Sequence, residues 1–229
     1  ADNILFILES GNPATLYRWE NGTLDVLDNA DNFVPGSLVA ASEGDLYGLT
    51  IVPSAGGAGG AVYDIALAYF ANGEGNDNSL QLVSGTGCPT QGSYPVMCAY
   101  GTGVIIAVPD QTCETYSFET VYEATPAHVL DDLTLNFVEK LVEGNNGTLW
   151  ALADNQVFFN SDPTQSAFIA VDFSSEGITS YEIHDIAFND DDEELYVYGT
   201  DTDSWDNFFF AIEMDEAAYG ALEVDIKDK

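Results

Sequence analysis

Apolar positions along this chain come in short bursts. The stretches "NILFILES", "ATLYRWE", "TLDVL", "DLYGLT", "DIALAYFA" and "SLQLV" each hold a run or an alternation of large apolar side chains, separated by Gly, Asn, Asp and Ser. Alternation with a period of two puts every second side chain on one face of a strand, and the polar breaks are turn formers. The pattern therefore predicts many short strands joined by tight turns. Helical spacing is nearly absent. In "PAHVLDDLTLNFVEKLV" (126–142) the apolar residues at 130, 133, 137 and 141 fit a helix, but Leu133, Leu135 and Phe137 also alternate, so a strand competes. The expected class is all-β.

Repetition narrows the architecture. "LVAASEGDLYGLT" (38–50), "LVEGNNGTLWALA" (141–153) and "IAFNDDDEELYVYGT" (186–200) each read as a short apolar strand, a polar turn, then Leu-aromatic-x-apolar. "VMCAYGTGVIIAV" (96–108) is a weaker copy, and "NILFIL" (3–8) matches the second half of another. The matching second-strand positions are Leu5, Leu46, Val104, Leu149 and Leu195, spaced 41, 58, 45 and 46 residues apart. "ATLYRWENGTLDVL", "SAFIAVDFSSEGITSYEI" and "FFFAIEMDEAAYGALEVDI" supply third and fourth strands. Four strands at a period of roughly 45 residues is the blade pattern of a β-propeller.

The segment "TLYRWENGTLDVL" looks like the end of a WD40-type blade, and "NNGTLWAL" is similar to blades of bacterial surface and secreted propellers. The Gly-His element and the regular Trp-Asp ends of WD40 repeats are missing, so the resemblance implies the architecture and not that family. The expected fold is one propeller domain over 1–229, with about five four-stranded blades near 1–33, 34–87, 88–132, 133–183 and 184–229. A large β-sandwich is the alternative. The first blade begins at its second strand, which leaves about nineteen strands where about twenty would complete five blades. An incomplete blade has an open edge, and the expected source of the missing strand is a neighbouring chain, another arrangement of the termini or a further part of the protein.

Composition changes the picture chiefly through charge. Against 39 Asp and Glu stand 4 Lys and Arg, a formal net charge of −35. Such a surface repels phosphate backbones and anionic membranes, so nucleic acid is excluded as a partner. It suits a saline, calcium-bearing or extracellular medium whose counterions screen self-repulsion. The 13 Phe, 12 Tyr and 3 Trp argue for packed cores over disorder. No apolar run approaches the roughly eighteen residues of a membrane-spanning segment. The chain opens "ADN", as a mature form would after cleavage behind a small residue, and the expected location is extracellular or cell-surface.

Three cysteines are present. "CPTQGSYPVMC" closes a short loop that a Cys88–Cys98 disulfide would staple, with Cys98–Cys113 across a hairpin as the rival pairing. Zinc does not fit, because paired CxxC spacing is missing. Asn21 and Asn146 each open an Asn-Gly-Thr sequon and are candidate glycan acceptors, though Asn-Gly is also a preferred hairpin turn.

The stretch "FNDDDEELYVYGTDTDSWDN" (188–207) holds eight acids in twenty residues. Its "NDDDEE" part aligns with the turns "SEGD" and "EGNNGT" and reads as a solvated hairpin turn. "DTDSWDN" offers Asp201, Asp203, Asp206 and Asn207 as oxygen ligands for Ca²⁺, the one cofactor the sequence suggests. "NGEGNDNS" offers a second set in Asn72, Glu74, Asn76 and Asn78. Neither follows the full EF-hand spacing. Trp205, inside the acidic loop, is the least core-like tryptophan and the candidate ligand contact.

No GxSxG elbow, P-loop or HExxH is present. His184 opens a strand, where a structural hydrogen bond is the expected role, and "GAGGAV" and "GTGVI" lack the βαβ context of a dinucleotide site. No residue is singled out as catalytic. The sequence points to a structural or interaction module without enzymatic activity, with protein partners or self-association. A calcium-assisted carbohydrate or protein binder is the alternative, and a glycoside hydrolase a distant third.

Overall fold

The computed structural model describes residues 4–9, 15–28, 33–34, 36–41, 44–54, 62–71, 78–164, 167–173, 179–191 and 193–213. Among them there is no α-helix, and the strands form antiparallel sheets made from neighbours in sequence. The chain divides into two compact units, Ala1–Val129 and Leu130–Lys229.

The first unit opens with a three-stranded sheet of β1 (Ile4–Glu9), β2 (Thr15–Glu20) and β3 (Thr23–Asp28). β2 and β3 turn at Asn21-Gly22, with φ of 51° and 85°. Two successive positive φ values make the tight type I′ hairpin that Asn-Gly favours. The second sheet runs β4 (Val39–Ala40), β5 (Leu46–Pro53), β6 (Tyr63–Phe70) and β7 (Asn78–Thr86). The third runs β8 (Val96–Tyr100), β9 (Gly103–Pro109), β10 (Thr115–Tyr122) and β11 (Thr125–Asn136), whose last residues belong to the second unit.

Face-to-face packing of successive sheets builds the core of this unit. Leu16 of β2, with Phe6, Leu8 and Leu27, meets Phe33, Leu46, Ala68 and Phe70. On the other side of the second sheet, Tyr47, Leu49, Leu67 and Tyr69 meet Val104, Ile106 and Val121 of the third. Strand alternation gives the second sheet two apolar faces, which is why "LYGLT" and "DIALAYFA" read as almost continuous apolar runs.

In the second unit β12 (Val138–Glu143), β13 (Leu149–Ala153), β14 (Gln156–Asn160) and β15 (Ile169–Ala170) form a four-stranded sheet. β16 (Tyr181–Asn189), β17 (Glu194–Asp201) and β18 (Asn207–Glu213) form a three-stranded one. Trp150, Leu152, Val157 and Phe159 of the former pack on Ile183, Leu195, Val197 and Phe210 of the latter. The ambiguous segment 126–142 is strand: β11 and β12 follow one another with Phe137 between them at φ 47°.

The repeats share local geometry as well as sequence. The Ala41 amide donates to the Asp45 carbonyl at 2.8 Å, and the Gly144 amide donates to the Thr148 carbonyl at 2.9 Å, closing equivalent turns. Leu46, Val104, Leu149 and Leu195, the repeated second-strand positions, are all buried. Leu5 is the exception at 54% exposed.

The cysteine pairing differs from the expectation. Cys88 bonds to Cys113, with Cα atoms 5.3 Å apart, and Cys98 is outside the bridge. Cys98 faces Ile105 in the β8–β9 ladder, toward the β8–β9 turn. Cys113 sits at the opposite end of that sheet, in the β9–β10 turn, where the 3₁₀ turn Cys88–Gln91 reaches it. Closeness in sequence is no guide here because β8 enters the sheet at Val96, opposite Ala107 and near the β9–β10 turn, and then carries Cys98 away from that end.

Candidate functional site

The loop between β17 and β18 holds the acids singled out in the sequence. Its backbone closes through the Asp201 amide donating to the Asp206 carbonyl at 2.9 Å and the Trp205 amide donating to the Asp201 carbonyl at 2.8 Å. Asp201 organises the loop with its side chain as well. One carboxylate oxygen accepts the Asp203 amide at 2.9 Å, and the other accepts the Ser204 hydroxyl at 3.0 Å. The Asp203 amide, and then Ser204, hold the Asp201 carboxyl below the ordinary carboxylate range, because both donate to its charged form. The Ser204 hydroxyl oxygen in turn accepts the Asp206 amide at 3.2 Å.

These bonds turn both carboxylate oxygens of Asp201 into the loop. Asn207 spends its side-chain oxygen accepting the Thr200 hydroxyl at 2.9 Å. Among the described residues no group of three or more His, Cys, Asp or Glu is arranged to hold a metal ion. The loop that Asp201, Asp203, Asp206 and Asn207 build is a self-capped turn. Of the second acidic set, Asn72, Glu74 and Asn76 lie outside the described residues, as does the side chain of Asn78.

Trp205 is displayed by that turn. It is 78% exposed and held at φ 63°, the left-handed region where a bulky side chain is disfavoured. Beside the loop, His184 Nε2 lies 2.8 Å from Thr200 Oγ1, and its ring centre is 5.4 Å from that of Tyr198. The histidine therefore has the structural partner expected of it, a threonine that also binds Asn207. The side chain of the other histidine, His128, is outside the described residues.

The "NDDDEE" turn is not uniformly solvated. Asp190, Asp191 and Glu193 are exposed, while Glu194, the first residue of β17, is buried. Its counterpart Asp45 is buried too, and accepts the Tyr69 hydroxyl at 3.1 Å. Burial, and then the Asp45 carboxylate beside it, drive the Tyr69 hydroxyl pKa upward. Tyr47 packs 5.1 Å from Tyr69 and accepts the Glu123 amide at 2.9 Å. Composition hid this network: turn acids in so acidic a chain look alike, and only the cross-strand pairing of Tyr47 with Tyr69 marks the place.

Asn21, the first sequon residue, is exposed in its hairpin turn. Asn146 lies in the 3₁₀ turn Asn145–Gly147, beside buried Thr148.

The first sheet presents a surface that the acidic loops do not resemble. Leu5 pairs with Trp19 and Trp19 with Leu24; Ile7 pairs with Tyr17 and Tyr17 with Val26. Directly paired residues share a face, so these six form two parallel rows on one side of the sheet. Leu5, Ile7, Trp19, Leu24 and Val26 are all exposed.

No protein-family model matches the chain, and no curated protein matches it. A solved structure that does is an acylaminoacyl peptidase of Pyrococcus horikoshii, with a TM-score of 0.46 and 7% identity over 98% of this chain. The match spans 42% of that peptidase chain, and a likeness this slight carries no argument about fold or activity.

Proposed function

We propose that this chain is a β-propeller-type interaction module of an extracellular or cell-surface assembly, acting through its surfaces and not through catalysis. The observation that carries the reading is the set of exposed apolar side chains on one face of the first sheet, Leu5, Ile7, Trp19, Leu24 and Val26, on a chain otherwise dominated by acids. Exposed apolar patches of this kind mark sites of association. Support for the propeller comes from sheets built of consecutive antiparallel strands and, within each unit, packed face to face in chain order. The Cys88–Cys113 bridge supports an oxidising compartment, where such bonds persist.

Light scattering over a range of protein, salt and chelator concentrations tests the reading. Association that grows with protein concentration and survives chelation is the expected result. A monomer under all conditions, gaining thermal stability only with calcium, contradicts it.

The exposure of Trp205 favours a second reading, in which the 201–207 loop recognises a ring-bearing ligand such as a carbohydrate by stacking. Fluorescence titration with oligosaccharides, comparing the intact protein with Trp205→Ala, tests it. A response that persists in the variant counts against that role.

A further inference from the structure

We propose that the Cys88–Cys113 bond is a redox latch. Cut by a dithiol reductant, it lets one end of the third sheet part from the second while the other end stays joined as a hinge. Such a latch is independent of the assembly reading above.

Two ties join these sheets, at opposite ends of the third. At one end the bond links the 3₁₀ turn Cys88–Gln91, which follows β7 of the second sheet, to the β9–β10 turn. At the other, the Tyr47 hydroxyl of β5 accepts the Glu123 amide at 2.9 Å, in the β10–β11 turn. β10 runs from one tie to the other. The apolar seam between the sheets is uneven along that length. Near Glu123, the side chains of Tyr47, Tyr69, Val104 and Val121 are all buried. Toward the bond, Ile51, Tyr94 and Val108 are only partly buried. Packing therefore holds the hinge end, and the covalent bond holds the end where packing thins.

Both arms of the latch are framed without the bond. Thr86 Oγ1 accepts the Cys88 amide at 3.2 Å, and the Cys88 carbonyl accepts the Ser93 amide at 3.0 Å. On the other arm the Asp110 carbonyl accepts the Cys113 amide at 3.1 Å. The Asp110 carboxylate accepts the Thr112 amide at 2.9 Å and the Thr112 hydroxyl at 2.6 Å. Cutting the bond thus frees two formed turns to separate. Cys113 also sits at φ 66°, in the left-handed region that a residue with a Cβ disfavours. The bond helps to fix it there, and its loss lets that strain relax as the turn moves away.

Burial gates the reaction. Cys88 is fully buried and Cys113 is 3% exposed, with Gln91 Nε2 lying 3.6 Å from the Cys113 sulfur. Exchange needs a thiolate to reach a sulfur, so the closed fold is shielded and reduction passes through transient opening of this end. In the opened form one thiolate of the dithiol attacks a bridge sulfur and displaces the other as a thiolate. The second thiolate of the reductant then displaces the sulfur it holds. The reductant leaves as its own disulfide, having given two electrons, and both cysteines take up protons as thiols. Cys98, opposite Ile105 and toward the hinge end, takes no part.

Reduction of the intact chain by dithiothreitol, stopped by alkylation and read by mass spectrometry, tests the gate. The native protein is expected to be reduced at least about a hundredfold more slowly than the chain in concentrated urea at the same thiol concentration. Amide hydrogen exchange of the reduced protein tests the latch. Exchange is expected to quicken in 87–95 and 110–115 and to stay slow in β5 and 121–124, with reoxidation restoring the slow state. Native reduction as fast as in urea overturns the proposal, because the bond is then open to solvent. Unchanged exchange after reduction overturns it by showing that the bond latches nothing. Exchange quickened throughout β5 to β10 overturns it as well, since the bond is then a staple for all these strands and the Glu123 end is no hinge.

Discussion

At the scale of single residues, Trp205 and Asp201 divide the work of one loop. Asp201 caps the turn with both carboxylate oxygens, which makes it part of the loop's own framework. Trp205 contributes little buried area and carries a left-handed φ that costs a non-glycine residue about 1 kcal/mol. Trp205→Gly is therefore expected to leave stability unchanged or raise it by up to about 1 kcal/mol, read from the urea midpoint. A loss of stability in that variant would show that the indole has a packing role. The composition of "DTDSWDN" is plain in the sequence, and so is the oddity of a tryptophan among acids. That Asp201 turns inward on its own loop was not legible. The same oxygens serve a capped turn or a cation site, and which one they serve depends on backbone dihedrals that the sequence leaves open.

At the scale of elements, strands and hairpins were readable because alternation and turn chemistry act locally. Leu46, Leu149 and Leu195 each follow a polar turn and each is buried in a second strand of its sheet. Asn21-Gly22 makes the hairpin its residues favour. The disulfide is not legible in the sequence, because pairing depends on which turns meet at one end of a sheet. The bridge ties the turn after β7 to the tip of the β9–β10 hairpin across 25 residues of chain. Cys88→Ala/Cys113→Ala is expected to cost roughly 3 kcal/mol in urea unfolding under oxidising conditions, through the loop-closure entropy returned to the unfolded chain. Cys98→Ala, half-buried in β8, is expected to cost less. The reverse order would contradict the pairing.

At the scale of the molecule, charge governs both stability and association. Asp64, Asp110 and Asp201 are held below the ordinary carboxylate range, chiefly by the Gly85 amide, the Thr112 hydroxyl and the Asp203 amide respectively. Their contribution is present above the ordinary Asp pKa and fades as pH falls through it toward the depressed folded values. Glu119 and Glu139 act oppositely. Burial raises both, and the charges of Asp154 and Glu182 raise Glu139 further. Their folded forms prefer a proton, so each costs stability as pH rises through the ordinary Glu range and its raised folded value. With general repulsion at −35 added, thermal stability is expected to peak in mildly acidic solution and to rise with salt at neutral pH. A melting temperature that climbs steadily from pH 5 to pH 8 at low salt would contradict this. The central claim, that the chain works by association through its first sheet, is tested most directly by amide hydrogen exchange of Ile4–Glu9 and Thr15–Asp28. It is measured in dilute and in concentrated protein at about 1 M NaCl, where charge repulsion is screened to about 3 Å. Slower exchange in both segments on concentration, with β8 to β10 unchanged, is the predicted result. Identical exchange at both concentrations, in a sample that scattering shows to be associated, would contradict it.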